Sequence, residues 1–166
     1  MIMALRLDED LINSQSINGW CESLAADSII IANDQLVTDG VSSMVQKMAV
    51  PRNIKVAIKE LQSALVLLQD PSFGDLKILI IVDTPGDLLL ILEQLPAGIP
   101  VYVGTYGRNN AGHSDAVQLA PGFRVTADEI KLFQKVFALQ EHTVFQRTAA
   151  EEPVPLGNLL QENNIF

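Results

Sequence analysis

The apolar residues of this chain fall into short runs separated by stretches with helical periodicity. The runs predict β-strands at Ala4–Asp8, Ser28–Ala32, Ile54–Ile58, Lys77–Val82, Pro100–Val103 and Thr143–Gln146. Between these runs, apolar residues recur every three or four positions, which predicts amphipathic helices. Strands that alternate with helices in this way are typical of a mainly parallel sheet with helices on both faces. The pattern therefore predicts a doubly wound α/β fold.

The predicted helices each carry one apolar stripe. The stripes are Ile17, Trp20, Cys21 and Leu24; Val37, Val41, Met44, Val45 and Met48; Leu61, Ala64, Leu65 and Leu68; and Ile130, Phe133 and Phe137. Thr84-Pro85-Gly86-Asp87 supplies a cap and a first-turn proline, and Thr126–Glu129 has the form of a capping box. Pro71 ends the third helix, and Leu156–Glu162 predicts a short terminal helix. An amphipathic stripe is the surface with which each helix is expected to cover the sheet.

Length and composition restrict the class of protein. The chain has 166 residues without an internal repeat or a low-complexity linker, so we expect one domain over residues 1–166. A net charge of −9 argues against nucleic acid or an anionic membrane as the main partner. No apolar run approaches the ~20 residues of a membrane span, and the N-terminus does not resemble a signal peptide. We therefore expect a cytoplasmic protein without direct membrane insertion.

The loops that follow the predicted strands are where ligands and chemistry are expected in a sheet of this type. Four such loops contain polar side chains: Asp8–Asn13, Asn33–Asp34, Asp83–Thr84 and Gly104–Ser114. The first contains three consecutive acids, which could hold a divalent cation as in response-regulator receivers. Asp83, however, follows the fourth strand and not the third, and no lysine follows Val103. A solvated acidic loop is the better interpretation, and we expect no metal and no cofactor.

The remaining candidate chemistry is sparse. No glycine-rich phosphate loop follows any strand, so a dinucleotide or P-loop function lacks its phosphate cradle. Cys21 is the only cysteine, which leaves no disulfide and no cysteine-based metal cluster. His113 lies in the polar loop after the fifth strand, whereas His142 lies near a predicted helix end. From the residues alone, the sequence indicates a ligand-binding α/β domain and no definite reaction.

An ordered set of short motifs resembles the IIB components of the mannose/fructose/sorbose class of the bacterial sugar phosphotransferase system. These proteins open with Arg-Ile-Asp-Asp-Arg-Leu-Ile-His-Gly-Gln-Val and a following tryptophan. Here Arg6–Ser16 reads Arg-Leu-Asp-Glu-Asp-Leu-Ile-Asn-Ser-Gln-Ser, and Trp20 lies at the matching distance. The matching motifs further along are Ala32-Asn33-Asp34, Lys47-Met48-Ala49, Pro51, Thr84-Pro85, Val103-Gly104 and Val125-Thr126. The resemblance runs from about Ala4 to Phe137.

The resemblance implies a phosphoryl-carrier fold whose first loop is changed. In the family, a histidine of this loop accepts a phosphoryl group from the IIA partner and passes it to a sugar at the membrane IIC and IID subunits. That histidine position is Asn13 here, and the arginine position of the loop is Asp10. Ser14 replaces a glycine, and Asp83 stands where many members have a lysine. The resemblance therefore implies a catalytically inactive homologue.

A ligand-binding set at this edge of the sheet is also implied. It comprises Asp8, Ser14, Gln15, Asn33, Asp34, Asp83, Thr84, Gly104, Tyr106 and Arg108. Asn13, Asn33, Thr84, Tyr106 and Arg108 could form a neutral pocket with hydrogen-bonding groups.

Two functional hypotheses follow from the resemblance. The first is a binding or regulatory subunit that associates with IIA, IIC/IID or a true IIB, or that binds a sugar phosphate. The second is an active phosphotransferase subunit whose phosphoacceptor has moved to His113. A third hypothesis, an unrelated small-molecule-binding domain of flavodoxin-like shape, holds only if the resemblance is accidental.

Overall fold

A computed structural model describes residues 1–165 of the chain. Its strands are β1 (Ile2–Leu7), β2 (Ser28–Ala32), β3 (Lys55–Lys59), β4 (Ile78–Val82), β5 (Val101–Val103), β6 (Val117–Ala120), β7 (Phe123–Val125), β8 (Val144–Phe145) and β9 (Val154–Pro155). Its α-helices are α1 (Ile17–Leu24), α2 (Asp34–Thr38), α3 (Gly40–Met48), α4 (Leu61–Leu68), α5 (Pro85–Gln94), α6 (Ala127–Leu139) and α7 (Leu156–Glu162). Two 3₁₀ turns, Pro71–Phe73 and Arg108–Asn110, complete the described elements.

Seven of the strands form one sheet in the order β3-β2-β4-β1-β5-β8-β9. All neighbouring pairs are parallel except β8 and β9, which are antiparallel. β6 and β7 form a separate antiparallel hairpin. This mainly parallel α/β architecture confirms the predicted fold class.

The sheet separates two apolar cores because successive side chains of a strand point to opposite faces. On β1, Leu5 and Leu7 belong to one core, which also contains residues of α4, α5, α6 and α7. Ala4 belongs to the other core, with Trp20 of α1. Helices therefore cover both faces, and the loops after β1 and β4 lead to helices on opposite sides of the sheet.

Local capping determines where several helices begin. The Thr84 hydroxyl accepts a hydrogen bond from the Asp87 N–H at the start of α5. Thr126 and Glu129 form a reciprocal capping box on α6. Both caps lie where the sequence predicts them, and α7 has the predicted bounds.

The apolar stripe after β2 differs from the prediction. The helix is interrupted at Asp39, whose carboxylate caps α3 by accepting from the Ser42 N–H. The stripe of α3 does not pack on the sheet, because Val41, Met44, Val45 and Met48 are all exposed. Periodicity identifies a helix here, but it does not reveal which side faces the protein.

The hairpin of β6 and β7 and the short strand β9 are absent from the predicted elements. β6 and β7 are only four and three residues long. Such short strands carry too few alternating positions to be distinguished from a loop. The hairpin contributes Leu119, Phe123 and Val125 to the larger core.

Candidate functional site

A buried ion pair lies beneath the loop that follows β1. Arg6 and Asp8 are both almost fully buried, and Arg6 Nη2 lies 3.1 Å from Asp8 Oδ2. The guanidinium also donates to the carbonyls of Gln146 and Arg147, and it lies 4.3 Å from the centre of the Trp20 ring. Charged groups are retained in a protein interior when they are paired and hydrogen-bonded in this way.

Burial affects the acid–base properties of both partners. Burial raises the pKa of the Asp8 carboxyl and lowers the pKa of the Arg6 guanidinium, because it disfavours the charged form of each. The attraction between the two charges opposes both shifts. Asp8 Oδ1 also accepts from the Asp10 N–H at 2.9 Å, so the pair holds the start of the loop in position.

The two following acids bind the loop after β5. Glu9 Oε2 accepts from the backbone N–H groups of Gly107 and Arg108, at 3.0 and 3.1 Å. Arg108 Nη2 lies 3.3 Å from Asp10 and 3.7 Å from Glu9. Asp8 therefore pairs with Arg6, whereas Glu9 and Asp10 share Arg108. The expectation of a solvated acidic loop is wrong, because Asp8 is buried and Glu9 and Asp10 are half-buried and paired with Arg108.

The predicted phosphoacceptor position is occupied by a side chain with a structural role. Asn13 Oδ1 accepts from the Gln15 N–H at 2.9 Å, and the Asn13 carbonyl accepts from Ser16 and Ile17. The Asn13, Ser14 and Gln15 side chains are exposed to solvent. The asparagine thus shapes the turn that leads into α1 and contributes no nucleophile.

The loops after β2 and β4 lie at the same edge of the sheet. Asn33 is buried and caps α2 by accepting from the Leu36 N–H, and the exposed Asp34 accepts from the Leu61 N–H. Asp83 is half-buried, and this burial raises the pKa of its carboxyl, although the Asn33 side chain opposes the shift. Most of these polar groups hold loops and helix starts in place.

Gly104 allows the close approach of β5 to the buried ion pair. A Cβ atom on Gly104 would lie 2.5 Å from Arg6 Nη2 and 2.7 Å from Asp8 Oδ2, so a larger residue does not fit. Two residues further on, the Tyr106 hydroxyl donates to the Glu129 carboxylate. Burial and this carboxylate raise the pKa of Tyr106. Tyr106 is therefore neutral, and its proton is already engaged.

Two adjacent cavities open at this edge of the sheet. One, of about 240 Å³, is lined by Glu9, Asp83, Thr84, Tyr106, Gly107 and Asn109. The other, of about 310 Å³, lies between the Gly107–Arg108 segment and the β6–β7 hairpin, and it includes Arg124. The smaller cavity brings Thr84 and Tyr106 together, Arg108 lines the larger one, and Asn33 lines neither. Asn13 lines neither of these cavities, and Glu9 and Asp83 make the smaller one acidic, whereas a neutral pocket is predicted.

His113 lies apart from these contacts. It is exposed, and its backbone N–H donates to the Asn110 carbonyl in the turn that follows the 3₁₀ segment. His142, the other histidine, is also exposed and lies 3.7 Å from Glu141. Neither imidazole is buried. Among residues 1–165, neither pairs with a carboxylate of the loops at the edge of the sheet.

Several residues that shape this site are missing from the predicted set. Gln46 of α3 accepts from the Ile12 N–H and donates to the Asp10 carbonyl, at 2.9 and 3.2 Å. Glu9 and Glu129 are also absent from that set. Arg6 is the exception for which a signal exists, because a charged residue within an apolar strand indicates a buried partner.

The arrangement has limited chemical capacity. Within residues 1–165, no group of three or more His, Cys, Asp or Glu side chains is arranged to hold a metal ion. The first loop presents carboxylates and amides, and Arg108, the cation that reaches it from the loop after β5, is already paired. Such a surface can bind through hydrogen bonds and charge. It offers a phosphoryl group no acceptor at position 13.

None of the helices formed by residues 1–165 has the length and apolar character that crossing a membrane requires.

The fold and the loop after β1 define a doubly wound α/β protein whose candidate site lies at the carboxyl ends of its central strands. Residues 2–165 match the model of the phosphotransferase-system sorbose subfamily IIB component. The chain belongs to this family, which confirms the resemblance seen in the sequence.

Relatives and solved structures agree with this assignment. A probable phosphotransferase enzyme IIB component of Streptococcus pyogenes serotype M6 is 28% identical over 148 residues, which cover 89% of this chain and 91% of the relative. N-acetylgalactosamine-specific phosphotransferase enzyme IIB component 2 of Escherichia coli K12 is 27% identical, with 96% and 98% covered. The IIB domain of the sorbose permease from Klebsiella pneumoniae has the same fold, with a TM-score of 0.86, 23% identity, and 98% and 97% covered.

Proposed function

We propose that residues 1–166 act as one IIB-like domain that does not carry a phosphoryl group. The domain serves as a binding or regulatory subunit of a sugar phosphotransferase system. The main support for the proposal is Asn13, which the sequence resemblance puts at the family's phosphohistidine position. Its amide oxygen is engaged by the Gln15 N–H, and the amide nitrogen is not a nucleophile because its lone pair is delocalised into the carbonyl.

The charges around the loop support the same conclusion. Phosphoryl transfer depends on cations that stabilise the developing charge. Here Asp10 replaces the family arginine, and Arg108 is already shared by Asp10 and Glu9. Two like charges 4 Å apart repel by roughly 4 kcal/mol at an effective dielectric of 20. An incoming phosphohistidine would therefore meet carboxylates in place of a free cation.

The retained parts of the fold indicate what remains. The buried Arg6–Asp8 pair and Gly104 hold the loops after β1 and β5 together at the edge of the sheet where we expect partners to bind. A domain with the IIB fold and no phosphoacceptor could bind IIA, the membrane IIC/IID subunits or a true IIB. It could also bind a sugar phosphate in the adjacent cavities. Each of these roles places the protein at the cytoplasmic side of a transport system.

One observation favours a second candidate function. His113 is exposed in the loop that begins beside Arg108, so a partner could reach its imidazole. In this alternative, the chain remains an active phosphotransferase subunit with His113 as a relocated phosphoacceptor. The exposed imidazole lacks a neighbouring group that would orient it, and for this reason the inactive subunit is the better supported function.

One experiment separates the two functions. The purified chain is incubated with phosphoenolpyruvate, the general phosphotransferase proteins and a IIA protein of this class, beside an authentic IIB protein as a positive control. Intact-mass spectrometry at neutral pH then detects any acid-labile phosphoryl adduct. We expect an adduct on the control and none on this chain. An adduct that disappears in His113→Ala would support the relocated acceptor and contradict the proposal.

A further inference from the structure

The helix α3 carries its apolar residues on the outside. Val41, Met44, Val45 and Met48 are 77%, 63%, 60% and 77% exposed. They follow the spacing i, i+3, i+4 and i+7, so they form one continuous stripe on the helix, which we call the α3 apolar face. The opposite side, which faces the protein, contains Ser42, Ser43 and Gln46. The helix is thus inverted relative to an ordinary surface helix.

The α3 apolar face differs from the other exposed apolar side chains. In the part of the chain that the structure describes, the other exposed large apolar side chains are isolated along the chain: Met1 before β1, Val37 of α2, Val66 of α4, Leu90 of α5 and Leu139 of α6. Single exposed apolar side chains are normal on protein surfaces, whereas a contiguous patch marks an interaction site. Two of the four residues are methionines, whose flexible side chains adapt well to a partner.

Hydrogen bonds hold this inverted orientation. Gln46 bonds the backbone of the first loop at Ile12 and Asp10, and the Ser43 hydroxyl donates to the Leu36 carbonyl at 2.5 Å. Rotating the apolar face inward would break these bonds and leave the Ile12 N–H of the first loop without its acceptor. The apolar face is therefore a stable surface feature and is not relieved by a small rotation of the helix.

The charges beside the face point to its occupant. From Gly40 to Lys59 the chain has no acid, and Lys47 and Arg52 lie at the carboxyl end of α3. Asp39 lies at the opposite end, as the cap of the helix. Within residues 1–165, none of these three side chains forms an ion pair. The stripe therefore has an acidic end, where Asp39 is hydrogen-bonded to Ser42, and a basic end, and neither end is neutralised by an ion pair within these residues.

We propose that the α3 apolar face binds the same face of a second copy of this chain around a two-fold axis. A two-fold axis across the middle of α3 makes the two helices antiparallel. The basic end of each helix, with Lys47 and Arg52, then meets the acidic end of the other, at Asp39. Antiparallel helix dipoles add to this complementarity. Met44 and Val45 lie at the centre, where they are removed from water.

The interface is small, so the dimer forms reversibly. Stable interfaces bury about 800 Å² per partner, whereas a nine-residue helix and its flanks provide an area at the low end of this class. We expect weak association that depends on the protein concentration. This inference is independent of the proposed function, because it requires no phosphoryl chemistry.

Sedimentation velocity of the full chain tests the proposal, over protein concentrations from roughly 1 μM to 1 mM. We expect a shift from the 18.1 kDa monomer to twice that mass as concentration rises. Met44→Glu places two carboxylates together at the centre of the interface and should raise the dissociation constant at least about 100-fold. Val66→Glu, on an equally exposed position of α4, is the matched control and should leave the constant unchanged.

A second variant tests the charge argument. Replacing Lys47 and Arg52 together by Glu places acids opposite Asp39 and should weaken association about tenfold at low salt, with a smaller effect at high salt. Thermal unfolding followed by circular dichroism verifies that each variant remains folded.

Three outcomes would overturn the proposal. The first is a monomer throughout the concentration range, and the second is a dimer that persists in Met44→Glu. The third is a monomer that binds vesicles of phosphatidylcholine and phosphatidylglycerol, or a purified IIA protein, in a manner abolished by Met44→Glu. That result would assign the face to a membrane or to another protein.

Discussion

Asp10 and Arg108 are 98 residues apart in the sequence, yet Arg108 Nη2 lies 3.3 Å from both carboxylate oxygens of Asp10. The pair joins the loop after β1 to the loop after β5. In the family resemblance, position 10 carries the cation of the loop. Here the cation comes from position 108 and the anion from position 10, so the arginine is engaged within the protein.

This pairing leads to a prediction about restoring the phosphoacceptor. We expect Asn13→His alone to accept a phosphoryl group slowly, because Asp10 and Glu9 repel the incoming phosphohistidine. Adding Asp10→Asn removes one like charge and leaves Arg108 paired only with Glu9, which should raise the rate by about tenfold in this exposed loop. Timed intact-mass measurements with a IIA phosphodonor give the two rates.

Asp10→Asn alone is the control and should remain without an adduct. Because the Asp10–Arg108 pair is exposed, its loss should change the free energy of unfolding by less than about 1 kcal/mol. Equal rates for Asn13→His with and without Asp10→Asn would show that the carboxylate does not obstruct transfer.

The packing of Gly104 against the buried ion pair can be tested by adding one methyl group. Gly104→Ala places a Cβ atom 2.5 Å from Arg6 Nη2, so the pair must shift. We expect a loss of about 1–3 kcal/mol in the free energy of unfolding, measured by urea denaturation. Gly112→Ala is the matched control, because nothing lies within 4 Å of its added Cβ atom. A similar loss in both variants would argue against the close approach at Gly104.

Asp83 should make stability depend on pH. Burial raises the pKa of its carboxyl above the ordinary value of 3.8, so the folded state binds the proton more tightly than the unfolded state. This contribution to stability is complete below pH 3.8 and is lost as pH rises through the folded pKa. We expect Asp83→Asn to be more stable than the natural chain at pH 7 and nearly equal to it at low pH.

Urea denaturation of both proteins at several pH values measures this difference. Asp87, whose pKa is also raised by burial and by Asp83, contributes in the same direction. In Asp83→Asn, the free energy of unfolding should therefore still depend on pH, but less strongly, because Asp87 remains. A difference that grows as the pH falls would show that the ionised Asp83 is favoured by folding.

Gln46 should control the mobility of the first loop. Gln46→Ala leaves the Ile12 N–H without its acceptor and detaches α3 from the Asp10 carbonyl. We expect a cost of about 1–2 kcal/mol in the free energy of unfolding. Hydrogen exchange should become faster at Ile12, with little change in β4. Gln62→Ala, at an exposed position of α4, is the control, and equal exchange in both variants would contradict the role of Gln46.

The sequence resemblance predicts that Asn13 and Asp10 stand at the family's histidine and arginine positions, because the flanking residues of the first loop keep the family's spacing. Arg6, Asp8 and Trp20 hold their spacing, and the structure shows that they contact one another through the buried guanidinium. The contribution of Gln46 could not be recognised, because its partner, the backbone of the first loop, lies 34 and 36 positions away.

The sequence by itself determined most of the local elements, though not β6, β7 and β9, and the edge of the sheet at which polar loops gather. β2 and α7 have the predicted bounds, and the caps at Thr84 and Thr126 lie where they were expected. Strand and helix periods and capping groups act over a few residues, so their signals are present in any short segment. The mainly parallel order also follows from this alternation.

Only the tertiary structure decided which partner each side chain meets. It showed Arg108 at Asp10, Glu9 at the backbone of Gly107, and the apolar stripe of α3 turned towards solvent. The same amphipathic pattern is compatible with either orientation of a helix. The choice depends on hydrogen bonds from distant segments, such as those of Gln46, and these form only when the chain is folded.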